Sequence, residues 1–238
     1  MGIGLILNNN RMTKQEILKK TLTELDKVDG QLDKIRKKYK SSDRGQKYIA
    51  PTRKGMARDG WVNEKLSHYF AASLDKPEFA NSKILDIGTG SGFFPFICNQ
   101  QEHKAEGLDI DWAPVFNETV KVLNIKRHLF RIEKFKPFIQ TGTKYDLITA
   151  HRTVFNCHRT PELWGADEWM HFMEDVFTNT LTDTGRVYIA FNVEPGHRKI
   201  GKEELIKLFD GFFIKSFTKQ TTILVDDINK LKENYKNL

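Results

Sequence analysis

An α/β fold is predicted: a doubly wound, seven-stranded, mostly parallel sheet with a terminal antiparallel hairpin, plus an N-terminal helical extension. Three observations predict it. Ile84, Leu85 and Ile87 form an apolar, β-favouring run that leads into Gly88, Gly90 and Gly92 and then a helix start. Downstream, strand-length apolar runs alternate with helix-period segments, which calls for parallel strands covered on both faces. The last two strand-like runs are joined by a short turn at Lys219–Gln220. That turn is too short for a crossover, so the two strands must pair antiparallel.

The elements follow in order. Residues 1 to 12, with Asn8, Asn9 and Asn10, show no helix pattern and are expected to be weakly anchored. Thr13 and Glu16 then have the spacing of a capping box. From there to Lys40, Leu18, Leu25, Leu32 and Tyr39 recur every seven residues, with Thr21, Val28 and Ile35 three later each time. This is a narrow apolar stripe on a charged helix. Gly30 is expected to mark a kink or a helix–helix junction. The stripe either packs on its own chain or joins a second copy in a homodimer. Residues 41 to 59 read as a polar, basic linker, and Trp61 to Leu74 as a helix ending before Pro77. Strands are predicted at 83–88, 105–110, 128–132, 145–150, 185–192, 211–217 and 221–226. Helices are predicted at 91–101, 114–124, 167–181 and 202–209. Two units are thus expected, a basic extension with its linker over 1–60 and the α/β domain over 61–238.

Composition narrows the class. Of the 238 residues, 39% are apolar, enough for a packed core. No run of about 18 apolar residues occurs, so no membrane span is expected. The opening Met1 to Leu7 is too short for the apolar part of a signal peptide and lacks a basic stretch before it. Cys98 and Cys157 are the only cysteines. Two isolated thiols make neither a disulfide framework nor a zinc site, and no metal is expected. A reducing, cytoplasmic setting fits them. The net charge of +7 is unevenly spread: residues 1 to 60 carry 15 Lys and Arg against 7 Asp and Glu, while the remainder carries 23 against 24. The basic extension could meet phosphates, an acidic glycan or a partner protein, or it could be a solvated helix face.

The glycine turn points to a nucleotide-like ligand. A helix opening after such a turn offers free N–H groups. Dinucleotide folds prefer G-x-G-x-x-G. Here the third glycine comes one residue early, giving Asp86-x-Gly88-x-Gly90-x-Gly92. That pattern resembles motif I of the class I S-adenosylmethionine-dependent methyltransferases, and the resemblance covers about residues 60 to 225. Asp109 ends the next predicted strand, 21 residues after Gly88, where a carboxylate can accept from both ribose hydroxyls. The resemblance implies S-adenosyl-L-methionine as cofactor. It implies that Asp86 helps orient the amino-acid end and that Gly88, Thr89, Gly90 and Gly92 cradle it, with Asp109 and Ile110 at the ribose. A seven-stranded sheet with one reversed strand is also what that family shows. Glu133, after the third strand, is a poor match to the acid many members place near adenine. Asp111 is expected to cap the helix that opens at Pro114.

In open α/β sheets, ligands sit beyond the carboxyl ends of the strands near the switch point. The loop after the fourth strand, His151 to Gly165, is therefore the place for acceptor chemistry. A hydroxyl acceptor benefits from a general base, and histidine has a suitable intrinsic pKa. His151 and His158 are the candidates, His151 first because it stands at the strand end. Arg152 could bind an anionic acceptor or form a surface salt bridge. Asn156, Asn192 and Glu194 are secondary candidates. Trp164 could form an aromatic wall, while Trp169 is read as core. Tyr48, Arg53, Arg58 and Trp61 could cover the cleft or merely anchor the linker. The loop lacks the [D/N]-P-P-[Y/F] element of methyltransferases acting on nucleobase nitrogens. The leading reading is methyl transfer to a small-molecule or carbohydrate-like (glycan) acceptor, at oxygen. The alternatives are an RNA or protein methyltransferase docking through the basic extension, a non-catalytic SAM-fold interaction protein and, last, a nicotinamide oxidoreductase.

Overall fold

The computed structural model describes residues 12–40, 52–193, 200–215 and 220–238. The reading of residues 1–11, the segment 41–51 with Tyr48, and Glu194 lie outside the described residues.

Two helices, α1 (Lys14–Lys27) and α2 (Asp29–Tyr39), precede a long α3 (Met56–Ala71). The α/β domain then runs β1 (Lys83–Ile87), α4 (Phe93–Gln100), β2 (Lys104–Asp109), α5 (Pro114–Val122), β3 (Arg127–Leu129), β4 (Tyr145–His151), α6 (Ala166–Asn179) and β5 (Leu181–Ala190). It closes with α7 (Glu203–Leu208), β6 (Phe213–Ile214), β7 (Thr222–Val225) and α8 (Ile228–Lys236). The sheet order is β3-β2-β1-β4-β5-β7-β6. All pairings are parallel except those of β7, which runs antiparallel to both β5 and β6. The fold is the expected doubly wound sheet with its reversed strand. The order turns back between β1 and β4, so the switch-point crevice lies beyond Ile87 and His151.

Strand alternation sorts side chains between two cores. Leu85, Ile87, Val187 and Ile189 face α6, α7 and α8, where Trp169, Met173, Val176, Leu205 and Leu231 are buried. Ile84, Leu147 and Tyr188 face the other way, against Val62 and Leu66 of α3, Phe94 and Ile97 of α4, and Ile17 and Leu25 of α1. The same alternation puts Asp86, Thr149 and His151 under α3, a placement that matters for the site.

The N-terminal stripe is engaged within the chain. The capping box forms, with Glu16 N–H donating to Thr13 Oγ1 at 3.3 Å and Thr13 N–H to Glu16 Oε2 at 2.6 Å. Ile17, Thr21 and Leu25 are buried on α1, and Leu32 and Ile35 of α2 pack on Ala113, Val115 and Phe116. The break between the helices falls at Val28, not at Gly30. Much of the basic charge is also tied down. Arg36 reaches Asp33 and the Thr52 carbonyl, Lys38 pairs with Glu118 at 2.5 Å, and Lys37 pairs with Asp33 at 2.7 Å.

Arg58 fastens this layer. It is only 1% exposed, pairs with Asp26 at 3.2 Å and with Asp29, and donates to the Thr52 carbonyl at 2.7 Å. It therefore anchors the extension and does not cover the cleft. Removing it leaves two carboxylates facing a buried hole. Arg58→Ala is expected to cost about 2–3 kcal/mol, below the value for a fully buried pair because both acids reach water. Urea denaturation measures this, and a loss below about 1 kcal/mol would show that the fastening is unimportant.

Several elements differ from expectation. α3 starts at Met56, five residues early. β3 is three residues long and ends at Leu129. The α8 helix was not anticipated; Asp227 caps it, accepting from the N–H groups of Asn229 and Lys230. Asp111 is not the cap of α5. Ala113 occupies that position, and the Asp111 carboxylate accepts from Asn117 Nδ2 at 2.7 Å.

Candidate active site

A cavity of about 790 Å³ opens at the switch point, within the usual range for a small-molecule or cofactor site. The glycine turn forms its floor. Gly88, Gly90 and Gly92 all have φ between +55° and +79°, the left-handed region that disfavours side chains. Gly88 has a second reason to be glycine, because a Cβ there would collide with Thr153 Cγ2 from the loop after β4. Gly92 precedes α4, whose third helical residue is Pro95. A proline fits there because a first-turn N–H has no partner within the helix.

Asp109, at the end of β2, ties this turn to the neighbouring strand. Its two oxygens accept from Gly90 N–H at 2.7 Å and Ile110 N–H at 2.8 Å. The carboxylate is 8% exposed. Burial pushes its pKa up, and the two amide hydrogen bonds oppose that rise. Each oxygen retains a lone pair for a further donor. Thr89, Ser91 and Ile110 also line the cavity. Thr89 sits against Gly107 of β2, where a Cβ would come within 2.5 Å of its methyl carbon.

Asp86 lies beneath the turn. It is 2% exposed and accepts from Thr149 Oγ1 at 2.7 Å. Burial raises its pKa, opposed by the Lys65 ammonium and the Thr149 hydroxyl. His151 Nδ1 is 3.2 Å from Asp86 Oδ1, outside hydrogen-bond geometry. The His151 ring stacks on His68 with centroids 4.5 Å apart and meets Phe94 edge-on at 4.4 Å. His68 Nδ1 lies 2.8 Å from the Tyr188 hydroxyl. Among the described residues neither His151 ring nitrogen has a hydrogen-bond partner, and burial holds the imidazole pKa well below the ordinary histidine range.

Helix α3 roofs this cluster. Trp61, Glu64 and Lys65 line the cavity, and His68 follows one turn on. Glu64 pairs with Arg152 at 3.2 Å, across from the loop after β4. The opposite wall comes from Trp112, Phe116, and Phe130 to Lys134. Glu133 is on that wall and exposed. The loop after β4 adds Thr153, Val154, Phe155 and Cys157.

The sequence candidates divide accordingly. Gly88, Thr89, Gly90, Asp109, Ile110, His151 and Arg152 converge on the cavity. Asp86 sits just under its floor, and Gly92 turns the chain into α4. His158 is half-buried and off the cavity wall. Trp164 is not a wall; it is 1% exposed in an aromatic core with Phe155, Trp169 and Phe172. Asn156 is buried, and its carbonyl accepts from Trp164 N–H. Asn192 donates to the Thr153 carbonyl at 2.8 Å and so braces the loop. Sequence reasoning missed Glu64, Lys65 and Trp112. The first two could have been found from the 61–64/65–68 spacing, which puts them on one helix face with Trp61.

No family model matches the chain, and no curated protein matches it. Among solved structures, the chain is similar to a TehB-like SAM-dependent methyltransferase from Corynebacterium glutamicum. Identity is 18%, coverage 53% of this chain and 62% of that one, and the TM-score 0.39. It is similar to the plantazolicin methyltransferase solved with S-adenosylhomocysteine, at 18% identity over 72% of this chain and 62% of that one, with a TM-score of 0.40. It is also similar to a ribosomal-protein methylase from Lactobacillus delbrueckii, at 13% identity over 68% and 76% of the two chains, with a TM-score of 0.44. The chain thus spans about three-fifths of the length of the first two structures it matches.

Proposed function

We propose that the chain is an S-adenosylmethionine-dependent methyltransferase acting on a small-molecule acceptor, at oxygen. One observation carries this reading above the rest. The Asp109 carboxylate is held by the amides of Gly90 and Ile110, beside a left-handed glycine turn at the switch point. In this reading that carboxylate is the ribose acceptor at the edge of the cavity. A turn of this spacing suits a donor with no pyrophosphate.

In this reading the adenosine lies between Asp109 and the wall of Phe130 and Ile132, with the amino-acid end over Asp86. The sulfonium methyl points toward the loop after β4. Methyl transfer is an in-line displacement, so positioning and exclusion of water supply most of the rate. His151 stays neutral, and its depressed pKa makes it a weak proton acceptor, so its role is to hold the floor beside Asp86. Arg152 at the mouth can turn from Glu64 toward an anionic group on the acceptor. Several basic residues of α1 and α2, Arg36, Lys37 and Lys38 among them, are paired within the chain, and this favours a small acceptor over RNA docked on the extension.

Titration calorimetry tests the donor reading. S-adenosylhomocysteine is expected to bind in the micromolar range or tighter, and NAD to give no heat. Binding of NAD alone would reverse the assignment. Labelled donor with a panel of hydroxylated acceptors then addresses the acceptor class.

A further inference from the structure

The Lys65 side chain is not explained by packing. It lines the cavity, and it makes no hydrogen bond or ion pair among the described residues. Its neighbour on α3, Glu64, is already paired with Arg152. Beneath it, Asp86 is occupied by Thr149, and His151, itself 7% exposed, presents two ring nitrogens without partners. Lys65 is half-buried, and its nearest acids, Glu64 and Asp86, are each already engaged elsewhere. A partly desolvated cation with no direct partner, standing on the wall of a cavity, is placed to meet an anionic group on a ligand. The cluster is a polar end to a largely apolar cavity, with a cation on the roof and an acid just beneath the floor.

We propose that Lys65 is the counter-ion for a ligand carboxylate, so that this end of the cavity selects nucleosides carrying an α-amino-acid tail. The inference rests on the donor reading and adds the residue that recognises the tail. The carboxylate meets the Lys65 ammonium on α3 while the tail's ammonium faces the Asp86 side. Burial lowers the Lys65 pKa and Asp86 and Glu64 raise it, so an arriving carboxylate would favour the charged form further.

The test uses two ligands that share a nucleoside and a thioether. S-adenosylhomocysteine has the amino-acid tail, and 5′-methylthioadenosine lacks it. By calorimetry, Lys65→Gln is expected to weaken S-adenosylhomocysteine by about 10- to 100-fold, the size of one hydrogen bond between charged groups, and to leave methylthioadenosine within about twofold. Lys65→Arg should recover most of the loss. Equal weakening of both ligands, or no weakening of either, would overturn the assignment. A wild-type chain that binds neither ligand would overturn the donor reading instead, and this inference with it.

Discussion

Replacing Asp109 by alanine is expected to weaken S-adenosylhomocysteine binding by about 100-fold or more. Two hydroxyls of a ribose would each donate to this carboxylate. A hydrogen bond to a charged group contributes about 1.5–3 kcal/mol, so losing two costs at least about 3 kcal/mol, or two decades in Kd. The substitution also frees the N–H groups of Gly90 and Ile110, which now donate to the two carboxylate oxygens. The turn then loses the tie that holds it against β2. Asp109→Asn separates these effects. Its amide oxygen can still accept from one backbone N–H and one hydroxyl, so about a tenfold loss is expected. Calorimetry reads both variants, with far-ultraviolet circular dichroism as the check on folding. Unchanged affinity in Asp109→Ala would remove this residue from the ribose and take the principal support from the methyltransferase reading.

The domain was legible because its signals were local and strong. Ile84 and Leu85 alternate between the two cores, and the glycines of 88–92 mark the only sharp turn that could follow β1. Asp109 could be placed by counting, since one βαβ half-unit has a narrow length range. The reversed β7 could be inferred from the short turn at 219–220. Boundaries failed where packing overrode pattern. Val28 ends α1 because the stripe must swing from α3 onto α5, and nothing local to Val28 announces that. The α8 helix escaped because its buried face is mainly Leu231, too little for a periodic signal, although Asp227 was a cap in plain view.

At the site, residues delivered by strand ends were readable and those delivered by the roof were not. β1, β2 and β4 must present Asp86, Asp109 and His151 at one edge, whatever else the chain does. Lys65 reaches the same cavity only because α3 lies across the sheet, a tertiary fact. Trp164 misled for a related reason. The loop that carries it is rich in His, Arg and Asn over 151–159, yet it folds Trp164 inward onto Trp169 and Phe172. Position alone left Arg58 between the cleft and the linker, and its pairing with Asp26 and Asp29 makes it the joint of the N-terminal layer.

Acidification is expected to destabilise the ligand-free protein steeply below pH 6.5. His68, His151 and His103 are all buried, and burial lowers the pKa of each from 6.5. The unfolded chain binds protons at these three histidines as pH falls through 6.5, while the folded chain takes them up only at lower pH. Stability is therefore full above that value and is lost below it. One pH unit lower, His68 and His151 each cost about 1.4 kcal/mol, so pH 5.5 should remove about 3 kcal/mol relative to pH 7.5, and His103 adds to the loss in the same direction. Asp86 and Asp109 act in the opposite sense. Burial raises their pKa above 3.8, so the folded state gains protons first as pH falls toward that value, and the loss becomes shallower at the acid end. Urea midpoints at pH 7.5, 6.5 and 5.5 measure the curve. His68→Gln can keep a hydrogen bond to Tyr188 and does not titrate, so it should remove up to about half of the slope. A midpoint that does not move between pH 7.5 and 5.5 would mean that the histidine cluster admits protons in the folded state, and that the floor beneath the glycine turn is open to water.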